Sequence, residues 1–447
     1  MIESTNEQPL STPPTTTDRP EASPTGSTNS TSHMGGTTRH AGHTGGFWTV
    51  ALRIELVRSP AVWLVPVLLG VGIGVAWYAL PPGIAYWPST LTAANASVAL
   101  AGPVLGAFAA LTGTREVRLG LGPARRLSTR APSLSAAAEL GALALWSLAL
   151  QAAVVLTVVI RTALSSPTGE FSVLVVTAGA AGLLCHLALG YLAGRLLPYR
   201  LLPPLVGVAL YAIDLLGSGR YGKPDYLLFP VLIDEPGVFD AWQPGLYARQ
   251  SLWLLGVATL IALIALALAG PSRALYVAGA AALAVTVTGA VATTALEGRY
   301  FARSTPAFTY ACETRSLTVC VHPAFARALP ELTRAFTPVA RALAGTPAAF
   351  DRLEQRPRGV GGAPSAGSRA IRMDDLAPGR VAATRQEFVE ELIDMDRCAT
   401  ADPAAVARTD QMAALLEQTP EAMPPGWLGD HYEAFTACAL RKSDLPQ

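Results

Sequence analysis

Four cysteines near the C-terminus are the residues of this chain best placed to form covalent bonds. They are Cys312, Cys320, Cys398 and Cys438. An even set confined to one segment is typical of disulfide bonding in an oxidising compartment. Three pairings are possible. We favour Cys312 with Cys320, because Thr309 to His322 has the pattern of a short hairpin, and Cys398 with Cys438; four unpaired buried thiols are the alternative.

A second set of residues could do chemistry because polar side chains inside long apolar runs are costly and therefore often functional. These intramembrane candidates are Glu139, Gln151, His186 and Asp214. We expect Glu139 to reach toward cytoplasmic water, near Arg195 or Arg126. Asp214 is expected near the outer surface. For His186 a neutral side chain bonded to a neighbouring helix is favoured over a proton relay, and both remain open.

These residues are positioned by seven apolar runs, each close to the roughly 20 residues that a helix needs to cross a bilayer. The runs cover residues 61–80, 93–113, 134–160, 171–194, 201–217, 251–270 and 274–296. The outer loop 218–250 is long and apolar, which suggests a re-entrant or surface-lying element. The sequence predicts an all-α polytopic membrane protein with about seven transmembrane helices, in the lipid bilayer of the cell membrane.

Composition agrees with a membrane protein. The chain of 447 residues is 51% hydrophobic and only 15% charged, unlike an ordinary soluble domain. Its formal net charge of +1 gives no indication of a nucleic-acid partner. Basic residues concentrate before the first run and after the second, fourth and sixth runs, so these segments are predicted to be cytoplasmic. The N-terminus is then cytoplasmic and the C-terminal domain extracytoplasmic.

The segments flanking the runs differ sharply in composition. Residues 1–46 are rich in Ser, Thr, Pro and Gly, which predicts a disordered cytoplasmic tail whose scattered histidines form no metal site. Residues 47–60 alternate apolar side chains with arginines and predict an amphipathic interfacial helix. Residues 297–447 combine a strand-like segment, 316–321, with several helical periods, and predict a small α+β or mostly helical extracytoplasmic domain.

Two segments carry a resemblance to a known family. ALRIELVRSP precedes the first run, and Arg115, Glu116 and Arg118 follow the second run, before a basic stretch that ends at Thr129 to Pro132. Over about residues 47–270 this organisation resembles the permease subunits of type-2 ATP-binding-cassette exporters, especially actinobacterial ones. The seventh run and the external domain depart from that family, as do Gly120 and Gly122 in the basic loop.

The resemblance implies partners and a site. Arg115, Glu116 and Arg118 would contact a separate ATP-binding-cassette ATPase, which would bind ATP and Mg. A homodimer, or a heterodimer with a related permease, is also implied. The alternative for the arginines is that they only set topology.

The chain carries no catalytic motif of its own. Neither of its lysines has a Walker-loop context, no paired zinc-ligand histidines occur, and no nucleophile elbow is present, so we expect no enzyme activity and no bound cofactor. The predicted function is the transmembrane permease subunit of an ATP-driven export system. The alternative is a non-transporting membrane anchor or sensor whose external domain binds a ligand or partner.

Overall fold

The computed structural model describes residues 50, 52–57, 61–80, 84–120, 132–220, 222–231, 237–297, 299–303, 309–357, 367–371 and 380–446. They belong to one compact unit, Phe47–Gln447. The predicted tail 1–46, Arg126 and the basic stretch that ends before Pro132 lie outside the described residues.

Each predicted apolar run falls on helix. The helices are α1 Ala61–Ala79, α2 Trp87–Ala96, α3 Val98–Arg118, α4 Pro132–Ala163, α5 Val173–Leu196, α6 Leu202–Ser218, α7 Leu246–Ala269 and α8 Arg273–Thr294. Among the described residues, five helical segments are long and apolar enough to cross a membrane: Trp87–Arg115, α4, α5, α7 and α8. The mostly helical fold is therefore confirmed and is consistent with a helical membrane protein, while α1 and α6 match the two other predicted runs as shorter apolar helices.

The predicted interfacial helix is helical where it is described, at residues 50 and 52–57. It packs on α4, because the indole Nε1 of Trp146 donates to the carbonyl oxygen of Leu56 over 3.2 Å. Val57 stays 70% exposed, so apolar surface remains available to a bilayer.

Helices α3 and α5 touch through their backbones along a ridge of small residues. A Cβ added to Gly190 of α5 would overlap the carbonyl oxygen of Gly106 of α3, and one added to Gly194 would overlap that of Ala110. Small residues four apart allow this approach, since no side chain separates the helices. Helix α6 packs on the same α3: a Cβ on Gly207 would lie 3.2 Å from the Cβ of Ala107.

The connection between α6 and α7 folds back into the helical bundle. It contains a short 3₁₀ turn, Tyr226–Leu228, and strand β1, Asp240–Trp242. The indole of Trp253 on α7 donates to the carbonyl of Leu228 over 2.9 Å, and Val231 packs against a buried cluster that includes Leu183 of α5. Non-helical backbone inside a helical bundle is tolerated where protein surrounds it.

The C-terminal part is an α+β domain. Its strands are β2 Phe301–Arg303, β3 Ala311–Thr314, β4 Thr318–Val321, β5 Arg352–Gln355 and β6 Ser368–Ile371. Its helices are α9 Leu329–Ala342, α10 Val381–Glu390, α11 Met395–Cys398, α12 Pro403–Gln418 and α13 Trp427–Thr436. The sheet runs in the order β3-β4-β5-β6, with β3 and β4 antiparallel and the other two pairs parallel.

Both favoured cysteine pairings are confirmed as disulfides. Cys312 and Cys320 face each other across β3 and β4 with Cα atoms 4.1 Å apart. Cys398 at the end of α11 is joined to Cys438, with Cα atoms 5.0 Å apart. Both bonds lie in the C-terminal domain, whereas Cys185 is a free, buried thiol in α5.

The domain packs directly on the loops of the helical bundle. Its hydrophobic core includes Tyr86, which precedes α2, and Val238 and Phe239 from the connection before α7. Strand β1 pairs with β2, and the guanidinium of Arg327 donates to the carbonyl of Ser165 over 3.3 Å. We call this the domain end of the bundle. The opposite end, where α3 and α5 finish and α6 begins, is the arginine end.

Candidate functional site: an arginine cleft and a buried histidine–aspartate pair

At the arginine end, three of the basic residues come together in one cleft. Arg115 and Arg118 on the last turn of α3 line it with Arg200 from the turn between α5 and α6. The cleft has a volume of about 430 Å³. Guanidinium groups at the C-terminal end of α3 interact favourably with the helix dipole, and together they form an anion-attracting surface. Glu116 lies on the same turn of α3, and its side chain is outside the described part of the chain.

Glu139 links α4 to α5 near the same end. Its Oε2 accepts a hydrogen bond of 3.1 Å from the hydroxyl of Tyr191, and the guanidinium of Arg195 donates to that hydroxyl over 3.5 Å. Tyr191, which the sequence analysis did not identify, thus links Glu139 to Arg195.

His186 and Asp214 form the central polar contact of the bundle. The imidazole Nε2 lies 3.0 Å from Asp214 Oδ2, with the two side chains 0% and 5% exposed. The other ring nitrogen, Nδ1, lies 2.8 Å from the carbonyl oxygen of Gly182. His186 is about 15 Å along α5 from Leu196, at a rise of about 1.5 Å per residue. Asp214 lies four residues before the end of α6 and pairs with His186 near mid-length of α5; its predicted position near the outer surface stays a prediction.

The histidine fits because the helix facing it has no side chain there. A Cβ on Gly102 of α3 would lie 2.8 Å from His186 Nδ1. Gly182, His186, Gly190 and Gly194 are each four residues apart, so His186 occupies one step of the small-residue ridge. Helices α3, α5 and α6 thereby enclose the pair.

Gln151 lies apart from that pair, beside a residue that sequence reasoning missed. Both Gln151 of α4 and Asn95 of α2 are buried. The amide of Asn95 donates to the carbonyl of Val175 over 3.2 Å. Asn95 Oδ1 and Gln151 Nε2 have no hydrogen-bond partner among the described residues. Asn95 could have been identified from the sequence, because it is a polar amide side chain within the predicted apolar run 93–113.

A larger cavity, of about 680 Å³, lies at the domain end. It is bounded by loops of the bundle and by the C-terminal domain, and its lining includes Tyr86, Glu170, Asp240, Trp242, Tyr247 and His322. Burial lowers the pKa of His322 from 6.5 to about 4. Its Nδ1 accepts a hydrogen bond from the backbone N–H of Ala324 over 3.1 Å, which also favours the neutral ring. The volume is in the range of small-molecule sites.

Within the described ranges no three His, Cys, Asp or Glu side chains come together as a metal site would require. No family model matches the chain, and no curated protein or solved structure matches it either.

Proposed function

We propose that this chain is the transmembrane permease subunit of an ATP-driven export system, with ATP hydrolysed by a separate ATPase subunit. The observation that carries the proposal is the cleft of Arg115, Arg118 and Arg200, which joins the end of α3 to the turn between α5 and α6. The resemblance of the segment around Arg115 to type-2 exporter permeases supports the same assignment.

The geometry offers a way to transmit force from this cleft. Gly106 meets Gly190, and Ala110 meets Gly194, through backbone atoms that cannot give way as a flexible side chain would. Because α6 packs on α3 and is tied to α5 through Asp214, a displacement at the arginine cleft would move three helices together. Close-packed helices shift as units rather than deforming continuously.

Charge favours an acidic partner for the cleft. Three guanidinium groups in one concave surface attract carboxylates and disfavour basic surfaces. In the proposed topology this cleft is cytoplasmic, about seven spans cross the cell membrane, and the disulfide-bonded domain is extracytoplasmic. Exposed apolar side chains along α8, such as Val277 and Val291, would face lipid or a second permease subunit in a homodimer or heterodimer.

ATP turnover by the complex in lipid nanodiscs tests this function. We expect Arg115→Ala/Arg118→Ala to lower ATP turnover at least about tenfold, corresponding to a loss of about 1.4 kcal/mol of coupling free energy. The matched control is Arg273→Ala, an exposed arginine at the start of α8, which should leave turnover unchanged. Equal ATP turnover in the wild type, the double variant and the control, each with an unaltered melting temperature, would count against a coupling role of the cleft.

A second function, that of a membrane-anchored receptor, is favoured by the cavity at the domain end. Its lining combines Tyr86 of the bundle loops with His322 of the C-terminal domain, so a bound ligand would contact both parts. Replacing helices α3, α5 and α6 by unrelated apolar helices distinguishes the two functions. A receptor would keep ligand binding and signalling after this replacement, whereas a permease would lose transport.

A further inference from the structure

We propose that His186 and Asp214 together form a buried proton-binding site that holds one proton between Nε2 and Oδ2. The inference follows from counting hydrogen-bond donors. The carbonyl oxygen of Gly182 can only accept, so His186 Nδ1, 2.8 Å away, must carry a hydrogen.

That assignment leaves Nε2 without a hydrogen in the neutral imidazole. An ionised carboxylate also has no hydrogen, and two acceptors would then face each other over 3.0 Å. The observed contact therefore requires one proton more, either on Nε2 as an imidazolium or on Asp214 as a carboxylic acid. Both forms carry the same number of protons and no net charge, so they are two states of a single site.

The surroundings make the unprotonated pair unfavourable. Its net negative charge would be buried, since the two side chains are 0% and 5% exposed. Asp214 Oδ1 has no hydrogen-bond partner among the described residues, so no other donor compensates that charge. Gly102 of α3 brings backbone against the imidazole ring and leaves no space there for a side chain, while Gly106 lies against the backbone carbonyl of His186 and the side chain of Leu210.

Other titratable groups lie along the helices that pack on the pair. On the described parts of α3, α5 and α6 they are Arg115, Glu116, Arg118, Cys185, Tyr191, Arg195 and Tyr211. On α4 and α7, against the other faces of α5, they are Glu139, Arg161, Tyr247 and Arg249. Cys185 is a buried thiol next to the pair along α5, and Tyr191 and Arg195 are engaged with Glu139 near the arginine end.

Whether the site holds its proton determines how strongly α6 is bound to α5. The pair is the polar contact between α5 and α6, and losing its proton replaces a hydrogen bond by acceptor repulsion. Release would therefore weaken the contact and favour separation of α6 or entry of water. This consequence depends on the geometry of the pair and not on whether the chain is a permease.

Nitrogen NMR of histidine-labelled protein in lipid nanodiscs, combined with infrared spectra of the carboxyl region, tests the site directly. At neutral pH we expect His186 to carry hydrogen on Nδ1, together with either a hydrogen on Nε2 or a protonated-carboxyl band. The His186→Gln and Asp214→Asn variants assign these signals. A bare Nε2 together with an ionised Asp214 in the wild-type protein would overturn the proposal.

Discussion

The side chain of His186, on α5, fits against α3 because residue 102 of α3 is glycine. Gly190 of α5 likewise has no Cβ, so its backbone can lie against the carbonyl oxygen of Gly106 of α3. At these positions one methyl group would meet backbone or a buried ring, neither of which can move aside easily.

We therefore expect Gly190→Ala to destabilise the bundle by about 1–3 kcal/mol, the usual range for overpacking a tight interior. The matched control is Gly74→Ala in α1, where an added Cβ would meet nothing within 4 Å; it should be neutral or slightly stabilising through helix propensity. Melting temperatures in lipid nanodiscs compare the two. Equal effects of both substitutions would refute backbone contact between α3 and α5.

His322 provides a residue-scale prediction in the C-terminal domain. Burial lowers its pKa from 6.5 to about 4, so between these values the unfolded chain binds more protons than the folded one. Stability should then fall as the pH drops from about 6.5 to about 4. His322→Asn keeps an acceptor for the N–H of Ala324 and should reduce this acid sensitivity. Unfolding measured against pH checks it, and an unchanged profile in the variant would contradict the assignment.

At the residue scale, sequence reasoning found the polar candidates but not their partners. Glu139, Gln151, His186 and Asp214 are recognisable because they interrupt apolar runs. The contact between His186 and Asp214 spans 28 positions and two helices, and no local periodicity encodes it. Tyr191 was missed because an aromatic residue in an apolar helix gives no polar signal of its own.

Helices of the bundle are the elements best predicted by sequence, because hydrocarbon thickness sets their length. Runs 134–160 and 171–194 correspond to α4 and α5 within a few residues. Two features were not predicted from the sequence. They are the division of the second helical segment at Ser97 into α2 and α3, and the parallel pairing of β4, β5 and β6. Both depend on tertiary packing rather than on local pattern.

The disulfides make an element-scale prediction because they close loops of different length. The bond between Cys398 and Cys438 spans 40 residues, and that between Cys312 and Cys320 spans 8. In the chain-entropy relation these loops correspond to about 4 and about 2.5 kcal/mol. Cys398→Ser/Cys438→Ser should therefore lower the stability of the domain more than Cys312→Ser/Cys320→Ser, as measured by denaturant unfolding. The opposite order would show that loop closure is not the main contribution.

Within the unit Phe47–Gln447, a helical bundle carries a domain at one of its ends, and the two are joined through Tyr86, Val238 and Phe239. Orientation in the membrane is a prediction from the distribution of arginines and from the location of both disulfides. Sequence could not reveal that the domain core extends into the bundle loops, because those loops are far from residues 297–447 in the chain.

Thiol labelling of intact cells with a membrane-impermeant reagent tests this orientation. We expect labelling of Cys312, Cys320, Cys398 and Cys438 only after a reductant is added, because the four sulfurs are paired. A Cys185→Ser background removes the one free, buried thiol and serves as the control. Labelling that requires opening the cell would place the domain in the cytoplasm and overturn the proposed topology.

Affinity purification from native membranes tests whether the arginine cleft couples this chain to an ATPase. We expect an ATP-binding-cassette ATPase to co-purify with the full chain, to be lost from Arg115→Ala/Arg118→Ala/Arg200→Ala and to be retained by Arg273→Ala. Purification of a stable, folded chain with no ATPase, or equal retention by both variants, would contradict this coupling.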